Sequence, residues 1–320
     1  MLIVQETELC QSMTNLKIYI NNPRESWITD RFRKEWYNYN KNTTRFIESS
    51  SMVWLIAPWV WQKISKKSLK TKKVICTIHH IDFESHSSVE EEEFYKRDKY
   101  VDIYHVISSK TEEELRKITN KKIFKIPFWV DGSIWFPIED KVNLRKKYNF
   151  DINDYLIGSF QRDTEGHDLR SPKLIKGPDI FLEISKKIYS KNKNLKIVLA
   201  GKRRNYLINQ FELHDIPYVH YEMIPEKGLN ELYNLLDLYI VSSRIEGGPQ
   251  AIVESSIIKT PIVSTNVGIA KEILHPDSIY TPDEFYKAKA NINFAYENTK
   301  QLLIPQGMEQ FRKIFLNYEN

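Results

Sequence analysis

Short runs of valine, isoleucine and aromatic residues alternate along the chain with segments in which apolar residues recur at helical spacing. Buried parallel strands give such runs, and crossover helices connect one strand to the next. The runs predict strands at 16–21, 52–57, 73–78, 102–107 and 123–126, and again at 155–160, 195–200, 218–221, 238–242 and 261–264. This alternation predicts an α/β protein with two parallel sheets.

Helices are predicted between these strands. The segment 27–38 places its apolar residues on one helical face, and Ser109 with Glu112 is predicted to form a capping box that opens a helix reaching residue 118. Further helices are predicted at 179–190, 205–213, 229–235, 250–258, 269–274 and 305–320.

The alternation is interrupted between residues 126 and 137, where two prolines and the first glycine of the chain, Gly132, fall close together. A domain junction is expected in such a stretch. We therefore predict an N-terminal domain at 1–135 and a C-terminal domain at 136–300. Residues 301–320 are predicted to form a helix that can pack back on the first domain.

Composition narrows the possible functions. All 10 glycines lie at or after Gly132, which excludes a glycine-rich phosphate loop in the N-terminal part. The 47 basic and 42 acidic residues give a mixed-charge surface, unlike that of a polycationic nucleic-acid binder. Cys10 and Cys76 form no disulfide framework and no zinc-binding spacing, which favours a reducing cytoplasm. The N-terminus lacks the features of a secretory signal, and the longest apolar stretch, at 52–61, is too short to span a bilayer.

Glycines and cations follow the predicted strands of the second domain, where open α/β sheets bind their ligands. Glu246-Gly247-Gly248-Pro249-Gln250 leads into a helix whose amides suit a phosphate, and Glu246 and Glu254 suit sugar or ribose hydroxyls. The chain has no Asp-x-Asp triplet for a metal-bound diphosphate. Arg162 and Lys176 are therefore predicted to neutralise a leaving diphosphate without a metal.

The residues from Ser242 to Ser255, followed by Pro261 to Glu272, resemble the signature of glycosyltransferase family 4, the group 1 retaining enzymes of GT-B fold. The resemblance implies two Rossmann-like parallel-sheet domains that face each other across a cleft. It also implies retention of configuration, usually pictured as front-face attack, with no required metal and a nucleoside-diphosphate sugar as co-substrate. It further implies a role in polysaccharide biosynthesis, with a glycan or lipid-linked acceptor.

The same resemblance implies roles for individual residues. Arg162 and Lys176 would contact the donor diphosphate, Glu246 and the amides after it would hold the donor sugar, and Glu254 would hold the ribose. His79, which follows the predicted strand at 73–78, would reach the donor sugar or the reaction centre. The implied catalytic residues are His79, Arg162, Lys176 and Glu246, and the implied donor-binding residues are Gly247, Gly248, Pro249, Gln250, Glu254 and Arg244.

Two positions depart from the family pattern. The segment Asn21 to Glu25 replaces a glycine-containing loop after the first strand, and Lys259 stands where a glycine is common. These departures concern the acceptor side and the N-terminal phosphate contacts.

Several residues have a second interpretation. Arg244 can contact the donor or form a structural pair, and His105 and His220 fit core or rim positions. His79, His80, Asp82, Glu84 and His86 could form a metal cluster, although a polar crossover loop explains the same residues. A cluster of tryptophans beside a lysine-rich helix has two interpretations: an aromatic and basic surface for a peripheral membrane contact, or tryptophans in the core with lysines in solvent. The residues are Trp54, Trp59, Trp61, Lys63, Lys66, Lys67 and Lys70.

The fold itself leaves other activities open. A nucleotide-sugar epimerase or a DNA-modifying glycosyltransferase would have the same architecture. A non-catalytic protein that binds nucleotides or nucleic acid through a basic face is a further alternative.

Overall fold

The computed structural model describes residues 16–25, 28–83 and 88–317. The chain divides into two compact units: unit 1 comprises Met1–Trp129 with Ile304–Asn320, and unit 2 comprises Val130–Leu303. The boundary between the units at residue 129 lies inside the stretch 126–137 that interrupts the sequence pattern. Cys10, Glu84, His86 and the first residue of the predicted helix at 27–38 lie outside the described residues.

Unit 1 contains a five-stranded parallel sheet with the strands in sequence order. The strands are β1 (Ile18–Ile20), β2 (Met52–Leu55), β3 (Lys73–Ile78), β4 (Ile103–Val106) and β5 (Lys122–Lys125). The helices are α1 (Ile28–Tyr39), α2 (Lys66–Thr71), α3 (Ser88–Asp98) and α4 (Ser109–Leu115). β2 and β4 are buried along their whole length, which is why their sequences read as continuous apolar runs.

The C-terminal helix, Gln306–Asn317, packs within unit 1. Its Phe315 ring lies 5.3 Å from the Trp36 ring, and its Phe311 ring lies 5.4 Å from Trp54. Arg312 Nε donates a hydrogen bond of 2.5 Å to Asn40 Oδ1. The helix thereby covers the aromatic core of unit 1, whose sheet contains no glycine.

The predicted capping box at Ser109 and Glu112 is wrong by one residue. Ser108 is the N-cap, because it is extended and its Oγ accepts a hydrogen bond from Thr111 N at 3.3 Å. The Glu112 carboxylate instead pairs with Arg116, 2.6 Å away on the next turn of the helix.

The aromatic edge considered for a membrane contact does not form. Trp54 is fully buried and Trp61 nearly so, whereas Trp59 is 47% exposed. Both buried indoles belong to the core because β2 and the short 3₁₀ turn after it direct them inward. The lysines Lys63, Lys66, Lys67 and Lys70 are exposed. No helix among the described residues is long and apolar enough to cross a membrane.

Unit 2 contains a six-stranded parallel sheet. Its strands are β6 (Tyr155–Ser159), β9 (Leu195–Ala200), β10 (Tyr218–Tyr221), β11 (Leu238–Val241), β12 (Ile262–Thr265) and β13 (Ile279–Tyr280). They lie side by side in the order β10-β9-β6-β11-β12-β13. A separate antiparallel hairpin is made of β7 (Thr164–Glu165) and β8 (Ser171–Pro172). The helices are α5 (Lys141–Lys147), α6 (Pro178–Lys191), α7 (Asn205–Leu213), α8 (Glu226–Leu235), α9 (Gln250–Ile258), α10 (Ala270–Ile273) and α11 (Ile292–Thr299).

This strand order is that of a dinucleotide-binding fold. From β6 the chain adds β9 and β10 on one side and then returns to add β11, β12 and β13 on the other. The direction reverses between β6 and β11, and in open α/β sheets ligands bind in the crevice beyond the carboxyl ends of the strands at this switch point.

Candidate functional site

The site is built where the loops after β6 and β11 meet. The segment after β6 carries Lys176 in a 3₁₀ turn, Leu174–Lys176, and the segment after β11 carries Glu246. Lys176 Nζ donates a hydrogen bond to Glu246 Oε1 at 2.5 Å, and both side chains are largely buried. The pair joins two loops that are 70 residues apart in sequence.

Neighbouring polar groups hold this pair in place. Ser243 Oγ lies 3.1 Å from Glu246 Oε1 and 3.0 Å from Gln161 Oε1. The amide of Gln161 donates to the carbonyl of Lys176 at 2.7 Å. The carboxylate and the ammonium are therefore fixed in orientation, as expected of groups that act on a charged ligand.

Gly177 allows the two loops to approach each other. Its φ is +60°, and a Cβ at this position would lie 1.8 Å from the carbonyl oxygen of Ser242. Gly268, on the loop after β12, is similar: its φ is +49°, and a Cβ would lie 2.5 Å from the carbonyl oxygen of Gly247. Only glycine combines this backbone conformation with such contacts.

Two helices begin at this point of the sheet. α6 starts directly after Gly177, and α9 starts directly after its N-cap, Pro249, as predicted for the helix at 250–258. Gly247 and Pro249 are buried, whereas Gly248 and Gln250 are partly exposed. The positive ends of two helix dipoles favour an anion here.

Arg162 is partly buried beside the site. Its Nε donates to the carbonyl of Thr164 at 2.8 Å, and burial together with the charge of Arg203 lowers the pKa of the guanidinium. Arg204, which lies between β9 and α7, is instead fully buried. It pairs with Asp163 at 2.5 Å and donates to the carbonyls of Ser159 and Ala200.

Arg244 forms the structural pair considered for it. Its guanidinium donates two hydrogen bonds to the carboxylate of Asp179, at 2.8 and 2.6 Å, and a third to the carbonyl of Leu174. The Asp179 carboxylate raises the pKa of Arg244, and the guanidinium lowers the pKa of Asp179. Arg244 thus ties the loop after β11 to the 3₁₀ turn that carries Lys176.

Glu254 lies in α9 and is 4% exposed. Its Oε2 accepts a hydrogen bond from the hydroxyl of Tyr233 at 3.1 Å. Burial raises the pKa of Tyr233, and the charge of Glu254 raises it further. Sequence reasoning missed Tyr233, because nothing near Tyr233 in the chain signals its contact with a helix 21 residues away.

Lys259 ends α9 in the left-handed conformation, with φ +64°. This is the conformation that a glycine adopts at the same place in many helices, so the departure noted in the sequence carries a backbone cost. The Lys259 ammonium lies 4.5 Å above the ring of Tyr296, which offsets part of that cost.

His79 lies in unit 1, directly after β3. Its Nε2 lies 2.8 Å from the carbonyl oxygen of Ile56, so Nε2 carries the proton and Nδ1 is the acceptor of the neutral ring. Burial lowers the pKa of His79 to about 4. The Trp59 indole lies 5.7 Å away and donates to Glu25 at 2.9 Å.

The metal-cluster interpretation finds no support in the described ranges, where no group of three or more His, Cys, Asp or Glu side chains could hold a metal ion. Two of its members, Glu84 and His86, lie outside those ranges. His105, expected in the core or at the rim, is buried, with Nε2 2.8 Å from the carbonyl oxygen of Ile126.

Comparisons with known proteins agree with the fold. Sucrose-phosphate synthase from Thermosynechococcus elongatus is similar over 92% of this chain and 80% of its own, with a TM-score of 0.65 and 15% identity. HepE from Anabaena, solved with UDP and glucose, is similar over 93% and 99%, with a TM-score of 0.69 and 11% identity. A glycosyltransferase from Rickettsia africae is similar over 92% and 82%, with a TM-score of 0.62 and 16% identity. No curated protein sequence matches the chain.

One family model matches part of the sequence. It is described as "Glycosyl transferases group 1" and covers residues 171–302, which include Lys176, Glu246 and Glu254 but not Arg162. The chain therefore has the GT-B fold of its structural neighbours, and residues 171–302 of its second unit resemble the group 1 glycosyltransferases.

Proposed function

We propose that the chain is a glycosyltransferase that binds a nucleoside-diphosphate sugar on unit 2 and transfers the sugar to a hydroxyl of a glycan or lipid-linked acceptor. The observation that carries the proposal is the Lys176–Glu246 pair at the switch point of the sheet. The match of residues 171–302 to the group 1 glycosyltransferases supports it. The structure of HepE was solved in complex with UDP and glucose, which supports a nucleoside-diphosphate sugar as the donor.

The pair combines the two kinds of group that a sugar nucleotide requires. Lys176 is a cation that can reach a phosphate oxygen, and Glu246 is a carboxylate that can accept hydrogen bonds from sugar hydroxyls. Arg162 and the positive ends of α6 and α9 add to the attraction for the diphosphate. We propose that Glu254, which accepts a hydrogen bond from Tyr233, also accepts one from a ribose hydroxyl of the donor.

In the proposed reaction the bond between the anomeric carbon and the diphosphate oxygen breaks, and its electron pair stays on that oxygen. The acceptor hydroxyl oxygen forms the new bond to the anomeric carbon, and its proton passes to the leaving diphosphate. We propose that this occurs on the face that the diphosphate leaves, with retention of configuration. Fixed cations would stabilise the developing charge in place of a metal ion.

His79 and Arg244 receive supporting roles. A neutral His79 at pH 7 can accept a hydrogen bond from a sugar hydroxyl through Nδ1, because Nε2 is already engaged by Ile56. Arg244 is a positioning residue, since its hydrogen bonds reach Asp179 and the turn that carries Lys176.

The test has two stages on the full chain. Thermal-shift measurements with UDP, GDP, ADP and their sugars should single out one base, with a stabilisation of about 2.7 kcal/mol at a concentration 100 times the dissociation constant. The responding sugar nucleotide is then incubated with candidate acceptors in excess chelator, and transferred sugar is measured. Loss of transfer in chelator with recovery in manganese would contradict the fixed-cation mechanism.

Other products would point to the alternatives. A donor converted to an isomeric sugar nucleotide without acceptor would indicate an epimerase. Binding of DNA with steep salt dependence and no response to any sugar nucleotide would indicate a nucleic-acid-binding protein.

A further inference from the structure

Lys173 lies beside the proposed donor site and has no role in the family signature. The hairpin of β7 and β8 pairs Thr164 with Pro172, and the next residue, Lys173, donates its backbone N–H to the carbonyl of Asp163 at 2.7 Å. Lys173 is thus held across from Asp163, the residue that follows Arg162. Lys173 lies within the matched residues 171–302, and the hairpin brings it next to the segment that carries Arg162.

The following turn brings Lys173 close to Lys176. Lys176 N donates to the carbonyl of Lys173 at 2.8 Å, closing one turn of 3₁₀ helix over Leu174–Lys176 with Lys173 as its N-cap. The hairpin and the turn together place Lys173 near both Arg162 and Lys176, whose charges act on the Lys173 ammonium.

The charges at this place are unbalanced. The Lys176 ammonium is paired with the Glu246 carboxylate. Throughout 16–25, 28–83 and 88–317, no carboxylate forms an ion pair with Arg162 or Lys173, although both are partly buried. Burial lowers the pKa of Lys173, as do the neighbouring charges of Arg162 and Lys176, and the charges of Glu165 and Glu246 oppose this effect only in part. Partly buried cations without a counter-ion are unfavourable in the absence of a ligand.

An anionic ligand would give these cations the counter-charge that they lack. Arg162, Lys173 and Lys176 carry three positive charges; Glu246 pairs with Lys176, and the charge of Glu165 offsets that of Lys173 only in part. The diphosphate of a sugar nucleotide is an anion of the kind that such cations bind, and they can bind it without a metal ion.

We propose that Lys173 is a third phosphate-binding cation of the donor site, which contacts the diphosphate of the sugar nucleotide together with Arg162 and Lys176. The proposal rests on the proposed function and adds a residue to its site. It predicts that this chain binds the diphosphate more tightly than Arg162 and Lys176 alone would allow.

The test compares two charge-removing variants of the full chain. Lys173→Gln removes the proposed contact, and Lys187→Gln removes the same charge from an exposed position of α6. Calorimetric titrations with UDP, GDP and ADP, and with the corresponding nucleosides, give the dissociation constants. We expect Lys173→Gln to weaken binding of the preferred nucleoside diphosphate about tenfold to a hundredfold, and to leave nucleoside binding within twofold.

Lys187→Gln should leave both affinities within twofold of the wild type, and Lys173→Arg should restore most of the diphosphate affinity. The proposal is overturned if Lys173→Gln binds the diphosphate as tightly as the wild type, or if it loses affinity for the nucleoside to the same extent. Wild-type protein that binds no nucleoside diphosphate would instead overturn the proposed function, and this inference with it. Thermal unfolding of each variant shows whether it is folded.

Discussion

Replacing Gly177 by alanine tests the close approach on which the donor site depends. The added Cβ would lie 1.8 Å from the carbonyl oxygen of Ser242, where ordinary contacts begin at 3.4 Å, so the two loops must separate. The left-handed conformation costs an alanine about 1–2 kcal/mol, and the forced displacement of packed atoms costs about 1–3 kcal/mol more. We expect a total loss of about 2–5 kcal/mol in the free energy of unfolding.

Gly201→Ala is the matched control. Gly201 also has a positive φ, +90°, but a Cβ there would meet its nearest atom, the carbonyl oxygen of Phe160, at 3.8 Å. Both substitutions place an alanine at a positive φ, and only Gly177→Ala adds the clash. Thermal unfolding should give a melting temperature about 2–12 °C lower for Gly177→Ala than for Gly201→Ala, since the clash costs about 1–3 kcal/mol and 1 kcal/mol corresponds to about 2–4 °C in a domain of this size. Equal melting temperatures would refute the close approach of the loops.

Three further expectations concern stability. Lys259→Gly should be about 1 kcal/mol more stable than Lys259→Ala. Both variants lose the contact with Tyr296, but only glycine adopts the left-handed conformation without strain. Urea unfolding that gives the opposite order of stability would contradict this. Asp163→Ala should cost about 3–5 kcal/mol, because it leaves the buried guanidinium of Arg204 without its carboxylate, and a loss below 1 kcal/mol in the same assay would show that the pair is not buried. The pKa of His79 is about 4 in the folded protein, below its ordinary value of 6.5, so unfolding takes up a proton as the pH falls. His79 alone should therefore lower the free energy of unfolding by about 2 kcal/mol between pH 7.5 and pH 5. Thermal unfolding against pH should show a smaller fall in His79→Gln, and an identical pH profile would show that His79 is not buried in its neutral form.

The regular elements of the fold could be predicted because their burial is visible in the sequence. The strand at 73–78 and the strand at 195–200 have the predicted bounds, since each is an apolar run that ends where the chain leaves the sheet. The hairpin of β7 and β8 was not predicted. Its strands have two residues each, too few for any hydrophobic period.

The site was predictable in its composition but not in its contacts. Lys176 and Glu246 were singled out separately, and the structure pairs them. The sequence did not show that Arg204 is fully buried whereas Arg162 is only partly buried. It also did not show that Trp54 is buried whereas Trp59 is exposed. Neighbouring residues of the same type look alike in one dimension, and the direction of each side chain is set by tertiary packing.

The central claim, that fixed cations on unit 2 bind a nucleoside diphosphate, is tested most directly by calorimetric titration of the full chain with the preferred nucleoside diphosphate in excess chelator. We expect binding of one molecule per chain, unchanged by the chelator and at least tenfold weaker in Lys176→Gln. Binding that requires an added divalent cation, or that is unaffected by Lys176→Gln, would contradict the claim.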